Sequence, residues 1–338
     1  MRFSFTIRWM VLCAVISALL FLGGCSGGNF VAANTAPAVV PTPSPAPSTG
    51  TNPAPAPSPN PPPAPSPTPQ SSTVPRSSHV VLVIEENHTY AQVLSSMPWL
   101  VAQGNAYGYA TDYHADEPGS ALDYFWLSSG SGEKAFGCSG AGCTKPITSD
   151  NIFRELTRAG LTWKVYAESL PTTGWMGGDS GAYLVRHNPA KYYSDVINSP
   201  QLQQNMVPFT QFAADLAANK LPNYSIIVPN ANNDAHNGTL AQADTWLKTN
   251  VAPLLSNASF QTGGDGLLII TFDECDAAVG ACNEQVYTAV IGPNVKRGFK
   301  SALFYKHENA LRTVLDSLGV NVHPGASAAA ADMADFFR

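Results

Sequence analysis

The chain has 338 residues, of which 12% are charged and 44% are hydrophobic, and its formal net charge is −6. A net negative charge argues against a surface built to hold nucleic-acid phosphates, and the hydrophobic content is too high for a disordered chain. After residue 24, no apolar run approaches the roughly 20 residues needed to span a bilayer. No charged residue lies between Arg8 and Arg76. The chain therefore divides into an uncharged N-terminal part and a sparsely charged remainder.

Residues 1–24 are typical of an export signal. Arg2 and Arg8 supply a positive start, an apolar stretch follows from Trp9 to Phe21, and Leu22-Gly-Gly-Cys25 comes next. This pattern is typical of a secretory peptide, and its ending resembles a bacterial lipobox. The resemblance implies a lipidated Cys25 at the mature N-terminus, with an ordinary signal peptide as the alternative. We therefore expect an exported protein, anchored by lipid on the extracytoplasmic side of a bacterial membrane, in the outer membrane or at the cell surface.

Residues 25–78 are expected to be a disordered, proline-rich tether. Sixteen of the 28 prolines lie between Pro37 and Pro75. Proline lacks a backbone donor and has a fixed φ, so this stretch favours extended polyproline II over helix or sheet. A partner-binding PxxP ligand is the alternative. The 260 residues from 79 to 338 are enough for one large α/β domain with a buried core.

Four cysteines of this domain form two close pairs, Cys138 with Cys143 and Cys275 with Cys282. In an oxidising compartment such pairs favour two small local disulfides. Metal binding is the competing interpretation. Spacings of five and seven residues without nearby histidines match no zinc pattern well, so we favour disulfides.

The predicted elements alternate between apolar strands and helices. In chain order they are a strand at 79–84, a helix at 151–159, strands at 161–167 and 224–228, a helix at 239–255, strands at 266–272 and 286–291, and a helix at 308–318. Uniformly apolar strands between helices predict an α/β fold with a largely parallel sheet covered on both faces. Ligands of such sheets bind at the carboxyl ends of the strands.

Two of these strands end in acids. Glu85-Glu86-Asn87 follows the first strand, and Asp273-Glu274 follows the strand at 266–272. Carboxylates delivered to one edge of a sheet need a counter-cation, and oxygen ligands favour a divalent metal ion. For either pair alone, a solvated turn or a helix cap is the alternative. Together they predict a metal site.

A series of segments then occurs in an order and spacing that resembles a known family. The segments are Val81–Tyr90, Tyr166–Pro171, Arg186–Pro189, Pro222–Asn230, Asp234–Gly238, Asp244–Leu247, Ile270–Glu274, Gly292–Asn294, Tyr305–His307 and Leu311–Thr313. The chain resembles the bacterial phosphoesterase family of secreted acid phosphatases and phospholipases C over nearly all of residues 79–338. The resemblance implies an alkaline-phosphatase-like three-layer sandwich, with Glu86, Asn87, Asp273 and Glu274 as the metal ligands.

The resemblance also points to Ser120 as the nucleophile. Acid phosphatases of the family carry His-Pro-Ser-Leu-Pro-Asn-Tyr, where this chain reads Pro118-Gly-Ser-Ala-Leu-Asp-Tyr124. Ser120 would open a helix through Leu127, where free N–H groups and the helix dipole favour a phosphate. A helix N-cap is the alternative role, and the two roles are compatible. At Asp123, which replaces the asparagine, the carboxylate either adds a metal ligand or repels the substrate.

Three histidines are candidates for contact with the substrate. His236 follows Asp234 after an apolar strand, which makes it a candidate phosphate contact or leaving-group acid. His187 and His307 lie in two of the matching segments and are further candidates.

Together these features predict a metal-dependent hydrolase of phosphoric monoesters, of acid-phosphatase type, that acts through a phosphoserine. Its substrate would be a small phosphoester or a lipid headgroup. A phospholipase C-like phosphodiesterase or a phosphoinositide phosphatase is the alternative among enzymes. A non-catalytic, surface-tethered binding protein is the alternative from another class, because the loop before Ser120 departs from the family pattern.

Overall fold

The computed structural model describes residues 73–275 and 282–338, and an eight-stranded sheet runs through this part of the chain. The predicted signal at 1–24, the lipidation site Cys25 and the tether up to residue 72 lie outside the described residues. Within them, no helix is both long and apolar enough to cross a membrane.

The strands are β1 (Val80–Glu85), β2 (Gly108–Ala110), β3 (Cys138–Ser139), β4 (Gly142–Cys143), β5 (Trp163–Ala167), β6 (Met206–Pro208), β7 (Tyr224–Val228), β8 (Leu267–Phe272), β9 (Thr288–Ile291) and β10 (Phe299–Ser301). The helices are α1 (Tyr90–Ser96), α2 (Pro98–Ala106), α3 (Ser120–Ser129), α4 (Ile152–Arg158), α5 (Ser194–Ile197), α6 (Pro200–Gln203), α7 (Thr210–Ala217), α8 (Leu240–Asn250) and α9 (His307–Leu318). The large sheet has the order β10-β2-β9-β8-β1-β7-β5-β6, and β3 pairs with β4 separately.

The sheet is largely parallel, which confirms the predicted α/β class. β1 lies between β7 and β8 and is parallel to both, and β5 is parallel to β6 and β7. Within the eight-stranded sheet of the described residues, only β9 breaks this pattern, because it is antiparallel to β8 and to β2. Every residue of β1, β7 and β8 is buried, so both faces of the central sheet are covered.

The predicted elements are found with small shifts at their ends. The strand predicted at 286–291 begins at Thr288, and the helix predicted at 239–255 ends at Asn250. A 3-10 turn, Ala252–Ser256, follows that helix. Pro253 has no N–H with which to continue the helical hydrogen bonds, so the helix stops before it.

Several short elements were missed. Helix α1 carries a capping box between Thr89 and Gln92, and α2 begins at Pro98. Both are helix-start signals that the sequence shows. The three-residue strands β2, β6 and β10 are too short to show a period of their own.

Contacts of the domain begin before the predicted boundary at His79. Val74 is buried, and the Ser77 N–H donates to the Ser317 carbonyl oxygen at 2.8 Å. The Ser78 hydroxyl donates to Asp265 at 2.6 Å. The last residues assigned to the tether are thus packed on the domain.

Both predicted disulfides are present. Cys138 is bonded to Cys143 across the β3–β4 hairpin, and Cys275 is bonded to Cys282. These sulfur atoms are therefore not metal ligands.

Asp215 provides a test of how β5 and α7 are held together. Its carboxylate accepts hydrogen bonds from Lys164 (2.5 Å), Tyr166 (2.7 Å) and Gln211 (3.0 Å). Burial raises the pKa of Asp215, but these donors outweigh burial and lower the pKa below its usual value.

We expect Asp215→Asn to lower the free energy of unfolding by about 1–3 kcal/mol at neutral pH, because charge-assisted hydrogen bonds are lost. A carboxyl group whose pKa is lower in the folded than in the unfolded state stabilises the fold at pH values above its unfolded-state pKa. This stabilisation is lost as the pH falls through the folded-state pKa. Urea unfolding from neutral to acidic pH should therefore show the variant approaching the parent protein. A difference that does not depend on pH would contradict this account.

Candidate active site

Three parallel strands deliver acids to one edge of the sheet. Glu86 follows β1, Asp273 follows β8, and Asp234 comes six residues after the end of β7. All three side chains have zero exposure, and Glu274 is also buried. Backbone N–H groups stabilise two of these carboxylates. The Asn87 N–H donates to Asp273 at 3.0 Å, and the His236 N–H donates to Asp234 at 2.8 Å.

The cluster carries more negative charge than its donors balance. Burial raises the pKa of Glu86 well above its usual value, and the neighbouring carboxylates of Asp273 and Asp234 raise it further. Burial likewise raises the pKa of Asp273, with help from Glu274, and raises that of Asp234 to about 7. Glu86 Oε1 and Asp273 Oδ2 have no hydrogen-bond partner among the described residues. Unpaired buried carboxylate oxygens of this kind fit a bound cation.

Ser120 faces this cluster from the start of α3. Its hydroxyl donates to Glu86 Oε2 at 3.0 Å and lies 3.5 Å from Glu274 Oε1. Glu274 also accepts the Gly119 N–H at 2.5 Å. The N-cap residue is Gly119, so the alternative role of Ser120 as the cap is wrong. The serine hydroxyl is instead held among the carboxylates.

A glycine-to-glycine contact holds the loop that presents Ser120. Gly119 has a φ of 118°, which side-chain-bearing residues rarely adopt. A Cβ on Gly140 would lie 2.8 Å from Gly119 Cα. Gly140 lies between the two strands of the hairpin that the Cys138–Cys143 disulfide closes. The cross-linked hairpin therefore packs directly on the serine loop.

His187 lies between two of the acids. Its Nδ1 is 3.1 Å from Asp234 Oδ2, and its Nε2 is 3.1 Å from Glu86 Oε1. Burial lowers the pKa of His187 well below its usual value, and the charge of Arg186 lowers it further. A neutral ring that donates from Nδ1 to Asp234 directs the Nε2 lone pair at a carboxylate oxygen. A proton or a metal ion between the two atoms makes that pairing favourable.

His236 lies next to His187, with 5.5 Å between the ring centroids. Its Nε2 is 2.8 Å from the guanidinium of Arg186. Glu86, His187 and His236 each offer a ligand atom, and these atoms lie within 4.8 Å of one another. This group adds two nitrogen donors to the predicted oxygen ligands.

His307 occupies a different place from the other two histidines. It is fully buried, with Nε2 2.7 Å from the Asp273 carbonyl oxygen and Nδ1 3.1 Å from the Tyr113 hydroxyl. Burial lowers its pKa to about 4. Both ring nitrogens of His307 thus contact protein groups, and Nε2 holds the backbone of Asp273 in place. The predicted contact of His307 with a phosphate stays a prediction.

Asp123 is also buried and lies 3.5 Å from His307 Nε2. Its Oδ1 accepts the N–H groups of Asp116 and Glu117 at 3.0 and 3.4 Å. Asp116, Asp123 and His307 form a second group of possible ligands. Lys306 already supplies a positive charge there, 2.6 Å from Asp116. This group is therefore less suited to a metal ion than the one around Glu86.

Sequence reasoning missed the roles of Asp234 and Arg186. Asp234 lies beyond the end of a central strand, as Glu86 and Asp273 do, and that position was the available signal. Arg186 precedes His187 and is half-buried beside His236, where it adds a fixed positive charge. The signal for Arg186 was weaker, because its place depends on contacts between distant segments.

Comparisons with known proteins identify the family. The model of the phosphoesterase family matches residues 96–321. The chain is 31% identical over 259 residues to a phosphatidylinositol-3-phosphatase of Mycobacterium tuberculosis, covering 74% of this chain and 80% of that protein. It is 30% identical over 250 residues to a probable acid phosphatase of Kluyveromyces lactis, covering 69% of this chain and 56% of that protein. The chain thus spans about half the length of that fungal relative.

In fold, the chain is similar to a solved protein of the alkaline phosphatase superfamily from Vibrio parahaemolyticus. The TM-score is 0.53 at 14% sequence identity, over 74% of this chain and 68% of that one. The likeness supports the predicted architecture.

The contact between Gly119 and Gly140 can be tested with one methyl group. Gly140 does not have a positive φ, so alanine strains its backbone little, but the new Cβ would meet Gly119 Cα at 2.8 Å. We expect Gly140→Ala to slow hydrolysis of an aryl phosphate about 10–100-fold, because displacing a reacting group by about 1 Å has effects of that size. Gly178→Ala is the matched control, since no atom lies within 4 Å of its Cβ position. Equal activity of the two variants would show that the hairpin does not position Ser120.

Proposed function

This chain belongs to the phosphoesterase family and is a phosphatase-type hydrolase, and we propose that it is a metal-dependent phosphomonoesterase of acid-phosphatase type. One observation carries the proposal: the Ser120 hydroxyl is hydrogen-bonded to Glu86 inside a buried carboxylate cluster in which Glu86 Oε1 and Asp273 Oδ2 have no hydrogen-bond partner among the described residues. A serine in such a place is poised for nucleophilic attack once a cation balances the acids.

The residues present fit a divalent metal ion. Glu86, Asp273 and Glu274 are the oxygen donors, and His187 presents an unpaired Nε2 beside Glu86. Asn87 remains a ligand predicted from the sequence. An ion bound here would lower the pKa of the serine hydroxyl and offset the negative charge of the phosphoryl group.

The protein groups around Ser120 have separable tasks. Glu86 accepts the Ser120 hydroxyl proton as Oγ attacks the phosphorus in line. The bond to the leaving oxygen breaks, that oxygen leaves with a proton taken from water, and water then hydrolyses the phosphoserine, which frees the serine and releases phosphate. Arg186, with His236 beside it, supplies N–H donors and positive charge for the phosphoryl oxygens. Asp234 holds His187 and His236 in place through its two carboxylate oxygens.

The altered loop before Ser120 is compatible with catalysis. Asp123 is fully buried and accepts two backbone N–H groups, so it holds the loop at 116–117 and does not line an open surface. This placement argues against repulsion of the substrate and against the non-catalytic alternative.

The named activity of the mycobacterial relative, a phosphatase of a lipid headgroup, favours monoesters over diesters and keeps lipid headgroups among the substrates.

We further propose that the enzyme acts outside the cytoplasm, held by a lipid on Cys25 as the sequence predicts. Two disulfides support an oxidising location, because such bonds are rare in the cytosol.

Ser120→Ala tests the nucleophile. We expect loss of about 10³-fold or more in the hydrolysis of an aryl phosphate monoester, because no other hydroxyl takes the place of the attacking oxygen. Bound metal should be largely retained. Ser95→Ala, at an exposed serine of α1, is the control and should keep full activity. Near-normal activity of the Ser120 variant would remove this residue from the mechanism.

Asp273→Asn tests the metal site. We expect metal affinity to fall by about 10–100-fold or more, measured by metal analysis of the purified protein after dialysis. Asp265→Asn is the control, since Asp265 precedes β8 at the opposite edge of the sheet. Unchanged metal content in the Asp273 variant would contradict the proposed site.

Faster cleavage of a diester than of a monoester by the parent enzyme would favour the phospholipase C-like alternative.

A further inference from the structure

A buried tyrosine hydroxyl in α3 has no hydrogen-bond partner among the described residues. It belongs to Tyr124, whose side chain has zero exposure. A polar group that is buried without a bond loses its bonds to water and gains none in return, which lowers stability. Such groups are rare in folded proteins, and each calls for an explanation. The attack by Ser120 does not use this hydroxyl, so its place needs another reason.

The position of Tyr124 in the helix directs its side chain to the same acids as Ser120. Ser120 begins α3, and Tyr124 follows it by four residues. Residues four apart lie on one face of a helix, and their side chains lean toward its N-terminus. Because the Ser120 hydroxyl reaches Glu86 from this face, at 3.0 Å, the tyrosine is aimed at the same carboxylate cluster.

The charges around the hydroxyl agree with this direction. Burial raises the pKa of Tyr124, and the carboxylates of Glu86, Asp273 and Asp234 raise it further, with the largest effect among these acids from Glu86. Glu86 Oε1 likewise has no hydrogen-bond partner among the described residues. A donor without an acceptor therefore lies near an acceptor without a donor.

The ring of Tyr124 is fixed by His187. The two rings are stacked, with 5.3 Å between their centroids and 11° between their planes. His187 is itself held between Asp234 and Glu86. The tyrosine ring therefore has a packing role that a phenylalanine would fill equally well, and only the hydroxyl lacks a task.

We propose that Tyr124 is a positioning residue, whose hydroxyl donates a hydrogen bond to the Glu86 carboxylate when a metal ion occupies the site. The inference rests on the proposed function, in which Glu86 both takes the Ser120 proton and contacts the ion. A carboxylate with two tasks has to keep one orientation, and a neighbouring donor provides that restraint. Hydrogen bonds to a charged acceptor are also the stronger ones. Tyr124 thus acts on the reaction through Glu86 and does not touch the substrate.

Tyr124→Phe in the full chain removes the hydroxyl and keeps the ring. We expect kcat for an aryl phosphate monoester to fall about 10–100-fold, as for other groups that orient a metal ligand. KM should change less than about twofold, because binding of the ground state is kept.

Tyr224→Phe is the matched control. Tyr224 is also fully buried and its hydroxyl also lacks a partner among the described residues. It begins β7, at the opposite edge of the sheet from the acids, and burial alone raises its pKa. This variant should keep the activity of the parent protein.

Thermal unfolding supplies a measurement that does not depend on turnover. After treatment with a chelator, both variants should unfold at a midpoint close to that of the parent protein or above it, because neither hydroxyl has a bond to lose. Added Mn²⁺ or Zn²⁺, which suit carboxylate and imidazole donors, should then raise the midpoint of Tyr124→Phe less than that of the parent protein or of Tyr224→Phe. The reason is that only the Tyr124 hydroxyl gains a hydrogen bond when the ion binds.

Three results would overturn the proposal. A metal-free midpoint of Tyr124→Phe well below that of Tyr224→Phe would assign the hydroxyl to the metal-free fold. A raised KM with unchanged kcat would assign it to substrate binding. A parental kcat, or a parental response to the ions, would show that it does not hold Glu86. The proposed function fails separately, since it requires Ser120→Ala to be inactive, and none of these results bears on that requirement.

Discussion

The burial of carboxylates at one edge of an apolar sheet is the constraint on which the site depends. The central strands are covered on both faces, so the residues that follow them, Glu86, Asp234 and Asp273, are buried too. Backbone amides, a serine hydroxyl and a histidine contact part of this charge, and we propose a cation at the two oxygens left over, Glu86 Oε1 and Asp273 Oδ2. The positions of Ser120 and His187 follow from the same constraint, because each is held by a hydrogen bond or close contact to one of these acids.

Much of the central architecture was predictable, because it is encoded locally. β1, β7 and β8 are mostly apolar runs bounded by polar, glycine or proline residues, and Glu86, Asp273 and Glu274 directly follow two of them. The rule that parallel strands share an edge then brings those acids together without further information. The disulfides were predictable for the same reason, since each joins cysteines close in sequence. Ser120 is different, since residue pattern alone leaves its role open and the family resemblance supplied it.

What could not be predicted depends on contacts between distant segments. His307 is held between the Asp273 carbonyl oxygen and the hydroxyl of Tyr113, which is almost 200 residues away in sequence. The support of Gly119 by Gly140 depends on where a small hairpin folds back, and neither glycine shows that in its sequence surroundings. The strands β2 and β10, which lie next to each other at one side of the sheet, have three residues each and no internal periodicity. They exist because the sheet offers them a neighbour, which only the assembled fold reveals.

The two disulfides have a consequence for the life cycle of the protein. One closes the hairpin that packs on the serine loop, and the other begins at Cys275, directly after Glu274. Both covalent links thus border the candidate active site, while the apolar strands can pair without them. In a reducing cytosol the sheet would form with its serine loop and acidic turn less restrained. If the protein is exported, as we propose, such a chain would be the weaker catalyst while it is still among the phosphorylated metabolites of the cytosol, and it would reach full activity once oxidised outside.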